Sequence, residues 1–361
     1  MDDFVLQGQS QISFRDFMQR ALYHPRSGYY QSGSVRQGAK KDYITAPSIS
    51  PLFARCLAHS LAPIFKKNPT WSIAEIGPGS GGLAAELLAA LHQHDQCPES
   101  YCLIEPDINL RVQQKALIAN QELCLVDRCQ WYGTLPNAFS GVVIANEVLD
   151  ALPVHLLESD QTGQLSSVQV ERGNDGYQWA SSVLCPDVYQ AFCDREIPRH
   201  HHYRYEISLD IAPFLQSLYQ RMNQGVCLFF DYGYSRSMYY HPQRHLGTLQ
   251  AFRNHTLIDD VLMQPGDQDI SCHVDFTLVA ESAVAAGFDV IGLTKQMYFL
   301  YANGIADVLQ YFQKQLSHLD FLRYRQSAHI LTSPQEMGEL IKLIAFSKGG
   351  PIQDDIIGLP S

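Results

Sequence analysis

The stretch Ser72-Ile-Ala-Glu-Ile-Gly-Pro-Gly-Ser-Gly-Gly82 constrains this chain more than any other. A short apolar run, Ile73 to Ile76, carries Glu75 and runs straight into glycines at 77, 79, 81 and 82. A helical pattern over Leu83–Leu91 follows at once. This order predicts a strand, a tight turn and a helix N-terminus. Glycines let the backbone turn sharply, and they let a ligand lie against bare peptide groups at the helix start. Taken alone, the spacing fits an ordinary βα turn as well as a nucleotide-type site.

The segments downstream repeat the alternation. Tyr101–Ile104 is a short apolar strand closed by Glu105. A helix is expected over Asp107–Asn120, a third strand over Cys129–Tyr132 and a fully apolar fourth over Gly141–Ala145, ending in Asn146-Glu147. Gly225–Phe230 is a fifth buried strand, ending in Asp231. A helix over Phe276–Ala286 leads to a strand near 288, and a last strand lies near 341. Apolar, non-alternating strands separated by helices mean a parallel sheet covered on both faces. Ligands in such sheets bind at the carboxyl ends of the strands, where Gly77, Glu105 and Asn146-Glu147 all fall.

Other segments depart from this pattern. Ser13–Tyr23 and Leu52–Phe65 have helical spacing, and Asp42–Pro51 reads as extended up to its prolines. Between them, Gln31–Lys41 is a polar, Gly-containing loop flanked by aromatic residues, a pattern that suits a lid over the site. Leu165–Val170 and Tyr177–Leu184 read as a β-hairpin. Residues 234–276 form a long segment with little periodicity but many aromatic residues and histidines, which points to a functional role.

Composition excludes several classes. A formal net charge of −11 argues against a nucleic-acid or anionic-membrane partner. No apolar run approaches a membrane span, and the start lacks the basic and apolar regions of a signal peptide. If the source is bacterial, the cytoplasm is the expected compartment. The nine cysteines are scattered and read as reduced thiols. His200-His-His202 cannot all face one ion from a regular element, so no metal site is expected.

Two ligands compete for the glycine turn. A nicotinamide dinucleotide prefers G-x-G-x-x-G with an acid roughly 20 residues on. Here the glycines stand at 77, 79 and 81, and Glu105 follows Gly77 by about 28 positions. Glu75, two before the first glycine, suits a ligand with an amino-acid end, whose ammonium needs an anion. The balance favours S-adenosyl-L-methionine (SAM). Seven strands, the first followed by this turn and the second closed by an acid, resemble the layout of class I SAM-dependent methyltransferases. The fold class expected is therefore α/β, a Rossmann-like seven-stranded sheet with an N-terminal helical extension and an inserted β-hairpin and helical substrate region. Residues 1–70 are the expected extension or lid. Residues 71–150, with 205–233, 276–295 and 335–350, are the expected core. Residues 151–204, 234–275 and 296–334 are the expected insertions.

Several longer words appear in order: Ala21-Leu-Tyr-His-Pro, Gly28-Tyr-Tyr30, Tyr43-Ile-Thr-Ala-Pro, Glu75-Ile-Gly-Pro-Gly, Ala145-Asn-Glu-Val-Leu-Asp-Ala-Leu-Pro, Asp231-Tyr-Gly-Tyr234, Gly247-Thr-Leu-Gln-Ala and His273-Val-Asp-Phe276. Together they closely resemble the MidA-like family of SAM-dependent methyltransferases, over about Ile12 to Ile305. Mitochondrial members of that family are arginine methyltransferases that act on a core subunit of respiratory complex I during its assembly. The resemblance implies SAM contacts at Glu75, Gly77, Pro78, Gly79, Gly81, Glu105 and Asn146-Glu147. It also implies a protein substrate with a target arginine, a respiratory-complex subunit among the candidates. The chain departs from the family at Ser48, where an acid is usual. After the third strand, Tyr132-Gly-Thr134 offers no acid for an adenine amine, as many methyltransferases do.

A guanidinium is a poor nucleophile until its charge is localised or a proton leaves, and a carboxylate in bidentate contact can do both. Glu147, just past the fourth strand, is the first candidate, then Asp150 one turn on, then Asp231. Tyr30, Tyr43, His255, His273 and Asp275 are candidates for the substrate region. His273 and Asp275 share a face if extended, and a structural pair is the plainer reading. Two other functions fit the same residues: a small-molecule methyltransferase, and a SAM-binding assembly factor whose turnover is dispensable.

Overall fold

The computed structural model describes residues 4–31, 46–121, 123–254, 256–350 and 356–359. The chain forms two compact units. One comprises Ile44–Val148, Leu215–Tyr232 and Ala280–Ser361, the other Met1–Tyr43, Leu149–Phe214 and Gly233–Val279. The N-terminal stretch expected as one extension contributes to both, and the helical stretch 296–334 belongs with the core.

The first unit is built on seven strands: β1 (Ser72–Ile76), β2 (Tyr101–Ile104), β3 (Cys129–Tyr132), β4 (Phe139–Asn146), β5 (Met222–Tyr234), β6 (Asp289–Lys295) and β7 (Ile341–Lys348). Their order is β6-β7-β5-β4-β1-β2-β3. β1 to β5 pair in parallel, while β7 runs antiparallel to both β5 and β6. All seven expected strands are present, and the expected sheet class is the one observed. The consecutive β5 residues Phe229 and Phe230 show why the strand is apolar throughout. Phe230 meets Phe53 and Phe299, at 5.0 and 5.3 Å between ring centroids. Phe229 meets Phe346 at 5.1 Å. Neighbouring side chains leave a strand on opposite faces, so both faces of this sheet are covered. Three helices matter to the site: α1 (Leu52–Lys67), α2 (Gly82–Gln93) and α3 (Ile108–Gln121). α1 and α2 bury Leu57, Leu61, Leu87 and Leu91 in the main core. The expected extension of 42–51 is corrected over its second half. Ala46–Ile49 is a short helix, which tolerates Pro47 because the first turn has no amide to lose.

The second unit holds two antiparallel sheets. Gln11–Ser13, Leu165–Arg172, His155–Ser159 and Tyr203–Ile207 run side by side in that order, and Tyr177–Ser182 closes the expected hairpin on Leu165–Arg172. The helix Phe14–Tyr23, capped by Ser13 through the Asp16 amide, buries Phe14, Phe17 and Met18 beside Val168 and Val170. Part of the segment expected to be irregular is a small sheet of Thr256–Ile258, Gln250–Arg253 and Asp269–Ser271.

Candidate active site

The strand order reverses between β1 and β4, and their carboxyl ends therefore open a crevice. The glycine turn follows β1. Gly77, Gly79 and Gly81 all adopt left-handed backbone, at φ 66°, 50° and 82°. Gly81 is the most constrained. It caps α2, and a Cβ there would meet Gln114 Cγ at 3.0 Å. At Gly79 a Cβ would meet nothing within 4 Å, so the turn leaves open space above bare backbone. The first amides of α2 give that space a partial positive charge.

Two of the predicted polar residues border the turn. Glu105, closing β2, is buried and accepts from the Asp107 amide at 2.8 Å. Burial raises its pKa, against the pull of that bond. Asn146, closing β4, has a buried Oδ1 with no hydrogen-bond partner among the described residues. Open space over glycines, a carboxylate and an unmet acceptor are the groups a nucleoside with an amino-acid tail would use. Glu75 is placed differently. It lies inside β1, 4% exposed, and its Oε2 accepts from Tyr101 Oη at 2.6 Å. Desolvation pushes its carboxyl up to about 7.

Glu147 is the strained residue of this edge, with φ 52°. Left-handed backbone in a residue other than glycine costs about 1 kcal/mol and persists only where its surroundings dictate it. They do so here. The Glu147 amide donates to Phe230 O at 2.8 Å, and the next amide, Val148, donates to Asp231 Oδ2 at 3.1 Å. The side chain is held as well, because Oε1 accepts from Asn146 Nδ2 at 3.1 Å and from the Ala46 amide at 3.2 Å. Asp231, 1% exposed, gives its other oxygen to the Tyr232 amide at 2.9 Å. The geometry makes it a brace for the backbone of Glu147. Pro78 lies within the turn, where its carbonyl accepts from the Gly81 amide at 2.8 Å.

The remaining candidates lie in the second unit. Asp150 falls in a turn, not a helix, and its carbonyl accepts from the Cys272 amide at 3.0 Å. Its buried carboxylate, like that of Asp269, helps burial raise the pKa of Tyr23 and Tyr30. Tyr30 donates to Asp269 at 2.6 Å and packs on Tyr23 and Tyr29. Asp275 caps the helix Phe276–Ala286 through the Thr277 and Leu278 amides and pairs with Arg236 at 3.1 Å. The His273 ring packs on Tyr234, and its amide donates to Thr248 Oγ1 at 3.0 Å. His273 and Asp275 line a small cavity of about 20 Å³ with Glu206, Tyr239 and Tyr240, room for about one water. Tyr43, His255 and the proposed lid 31–41, from residue 32 onward, lie outside the described residues. His200 and His201 bond separately, to Tyr240 O and Gln161 O.

Sequence reasoning missed two buried polar residues. Gln114 sits on α3 against the glycine turn. Glu206 accepts from the Thr248 and Leu249 amides at 2.6 and 3.1 Å. It explains the word Gly247-Thr-Leu-Gln-Ala, because a Cβ at Gly247 would lie 2.2 Å from its Oε1. The glycine word itself was a signal that something polar approaches there.

Known proteins resemble this chain in sequence and in fold. A family described as "Putative S-adenosyl-L-methionine-dependent methyltransferase" matches residues 56–294. A crystal structure of a Burkholderia thailandensis protein bound to S-adenosyl-homocysteine is 34% identical, with a TM-score of 0.88, and the match covers 99% of this chain and 93% of that one. The mitochondrial protein arginine methyltransferase NDUFAF7 of Mus musculus is 27% identical, over 95% of this chain and 82% of its own. Its Drosophila melanogaster homolog is 29% identical, over 94% and 82%. With the seven-stranded sheet and its glycine-turned edge, these matches establish that the chain belongs to the MidA-like family of SAM-dependent methyltransferases, with SAM as its co-substrate.

Proposed function

We propose that the chain methylates an arginine side chain of a protein, with Glu147 as the group that engages the guanidinium. The observation that carries this reading is the strained, over-determined backbone of Glu147 at the end of β4, beside the glycine turn. The relatives named as arginine methyltransferases supply the acceptor class. The turn, Glu105 and Asn146 would hold SAM, which supplies a methyl group made electrophilic by its sulfonium. The carboxylate of Glu147 would accept from two guanidinium N–H groups, localise the charge away from one nitrogen and leave that nitrogen free to attack. The proton lost from the methylated nitrogen passes to the same carboxylate and then to solvent. The partner expected is a protein subunit of a respiratory complex.

The test is transfer of labelled methyl from SAM into protein of a cell extract, followed by digestion and mass spectrometry. The expected product is methylarginine in a small number of proteins. Label confined to lysine, or to small molecules, contradicts the reading.

A further inference from the structure

One buried side chain at the glycine-turned edge is not used by the chemistry above. Gln114, on α3, is 0% exposed. Its Nε2 donates to Gly79 O at 2.8 Å and lies 3.4 Å from Glu105 Oε2. Its Oε1 accepts from Trp131 Nε1 at 2.8 Å. One amide thus joins the turn after β1, the acid that closes β2 and the indole carried by β3. Its Cγ and Cβ also lie 3.0 and 3.1 Å from where a Cβ at Gly81 would stand, which seats α3 directly on the turn. The three neighbours specify the residue type. A primary amide presents two N–H donors and one acceptor in one plane. A carboxylate would aim oxygen at the Gly79 carbonyl and at Glu105. An aliphatic side chain would take away the acceptor of the half-buried Trp131 indole N–H.

We propose that Gln114 is the positioning residue of the methyl-donor site, pinning the Gly79 carbonyl and the Glu105 carboxylate in the arrangement that meets the donor. The inference rests on the reading that the glycine turn and Glu105 hold SAM. Gln114 acts through these two groups, so it governs affinity for the donor and for its product, S-adenosyl-homocysteine. Trp131 shares the task from the other end of the amide, with a smaller share because it orders Gln114 alone.

The probe is S-adenosyl-homocysteine, titrated by calorimetry into wild type, Gln114→Leu, Gln114→Glu and Trp131→Phe, with a thermal melt of each. Gln114→Leu is expected to weaken binding about tenfold, the weight of one hydrogen bond to a charged or buried partner. Trp131→Phe, which keeps an aromatic ring in place, is expected to weaken it about threefold. Gln114→Glu adds a signature that a loss of packing would not produce. The introduced carboxyl faces Glu105, with Asp107 and Arg111 as the other charged groups on Glu105. Its binding defect is therefore expected to shrink as pH falls from about 8 to about 6, while that of Gln114→Leu stays flat. Should a position-114 variant fail to fold, Trp131→Phe still decides. Variants that melt lower yet bind within about twofold of wild type overturn this inference and leave the donor site standing. A wild type that binds no S-adenosyl-homocysteine overturns both.

Discussion

Glu75 and Glu206 are both glutamates buried inside a sheet, one in each compact unit, and the fold treats them differently. Glu206 receives two backbone amides of the Gly247 turn and the Tyr239 hydroxyl, the last at 3.1 Å. Glu75 receives, among the described residues, the Tyr101 hydroxyl. Burial raises the pKa of both, but only Glu206 has several hydrogen bonds drawing it back down. A saturated buried acid stabilises the turn it holds. An acid the fold leaves short of donors costs stability, which is the mark of a position kept for something other than folding. A contrast of another kind appears where β4 ends: Asp231, within β5, gives both oxygens to backbone amides, while Glu147 carries left-handed backbone.

Removing each acid is the sharpest way to break the comparison. Glu206→Leu strands three donors, two of them buried, and is expected to destabilise the protein by about 4 kcal/mol, measured by chemical denaturation. A loss below about 1 kcal/mol would show that the Gly247 turn holds itself. Glu75→Gln should do the opposite. The carboxyl of Glu75 is raised from 4.5 to about 7, so the folded state binds its proton more tightly than the unfolded state does. Below pH 4.5 both states are protonated and the group costs nothing. As pH rises toward about 7 the cost grows, and above that it is constant at roughly 3 kcal/mol. The variant should lack this slope and be more stable near pH 8, while losing about tenfold in affinity for SAM if the carboxylate serves the ammonium. A variant less stable than wild type near pH 8 would put Glu75 in the same class as Glu206. Gly81→Ala is the smallest of the three. Left-handed backbone and the 3.0 Å approach of Gln114 predict a loss of about 1 to 2 kcal/mol, visible as a lower melting temperature.

Much of the methyltransferase unit was legible because its signals are local. Each strand is an apolar run such as Val142–Ala145, the glycine turn is contiguous, and Glu105 and Asn146-Glu147 follow their strands directly. The second unit was harder to read because its pairings are distant. Gln11–Ser13 is three residues long and finds its partner beyond position 165. Gln114 lies on a helix of mixed character, where a glutamine reads as solvent-facing until Gly79 and Trp131 are brought to it. The left-handed backbone of Glu147 has no sequence signature, because the groups that impose it, Phe230 O and Asp231, come from another strand.

The central claim is that Glu147 works on the acceptor and not on the donor. Glu147→Gln tests it most directly, because the substitution keeps an Oε1 for Asn146 and Ala46 and removes only the charge. S-adenosyl-homocysteine should bind the variant within about twofold of wild type, while methyl transfer to arginine falls by at least about a hundredfold. Transfer retained near the wild-type rate, or binding lost together with transfer, would contradict the account.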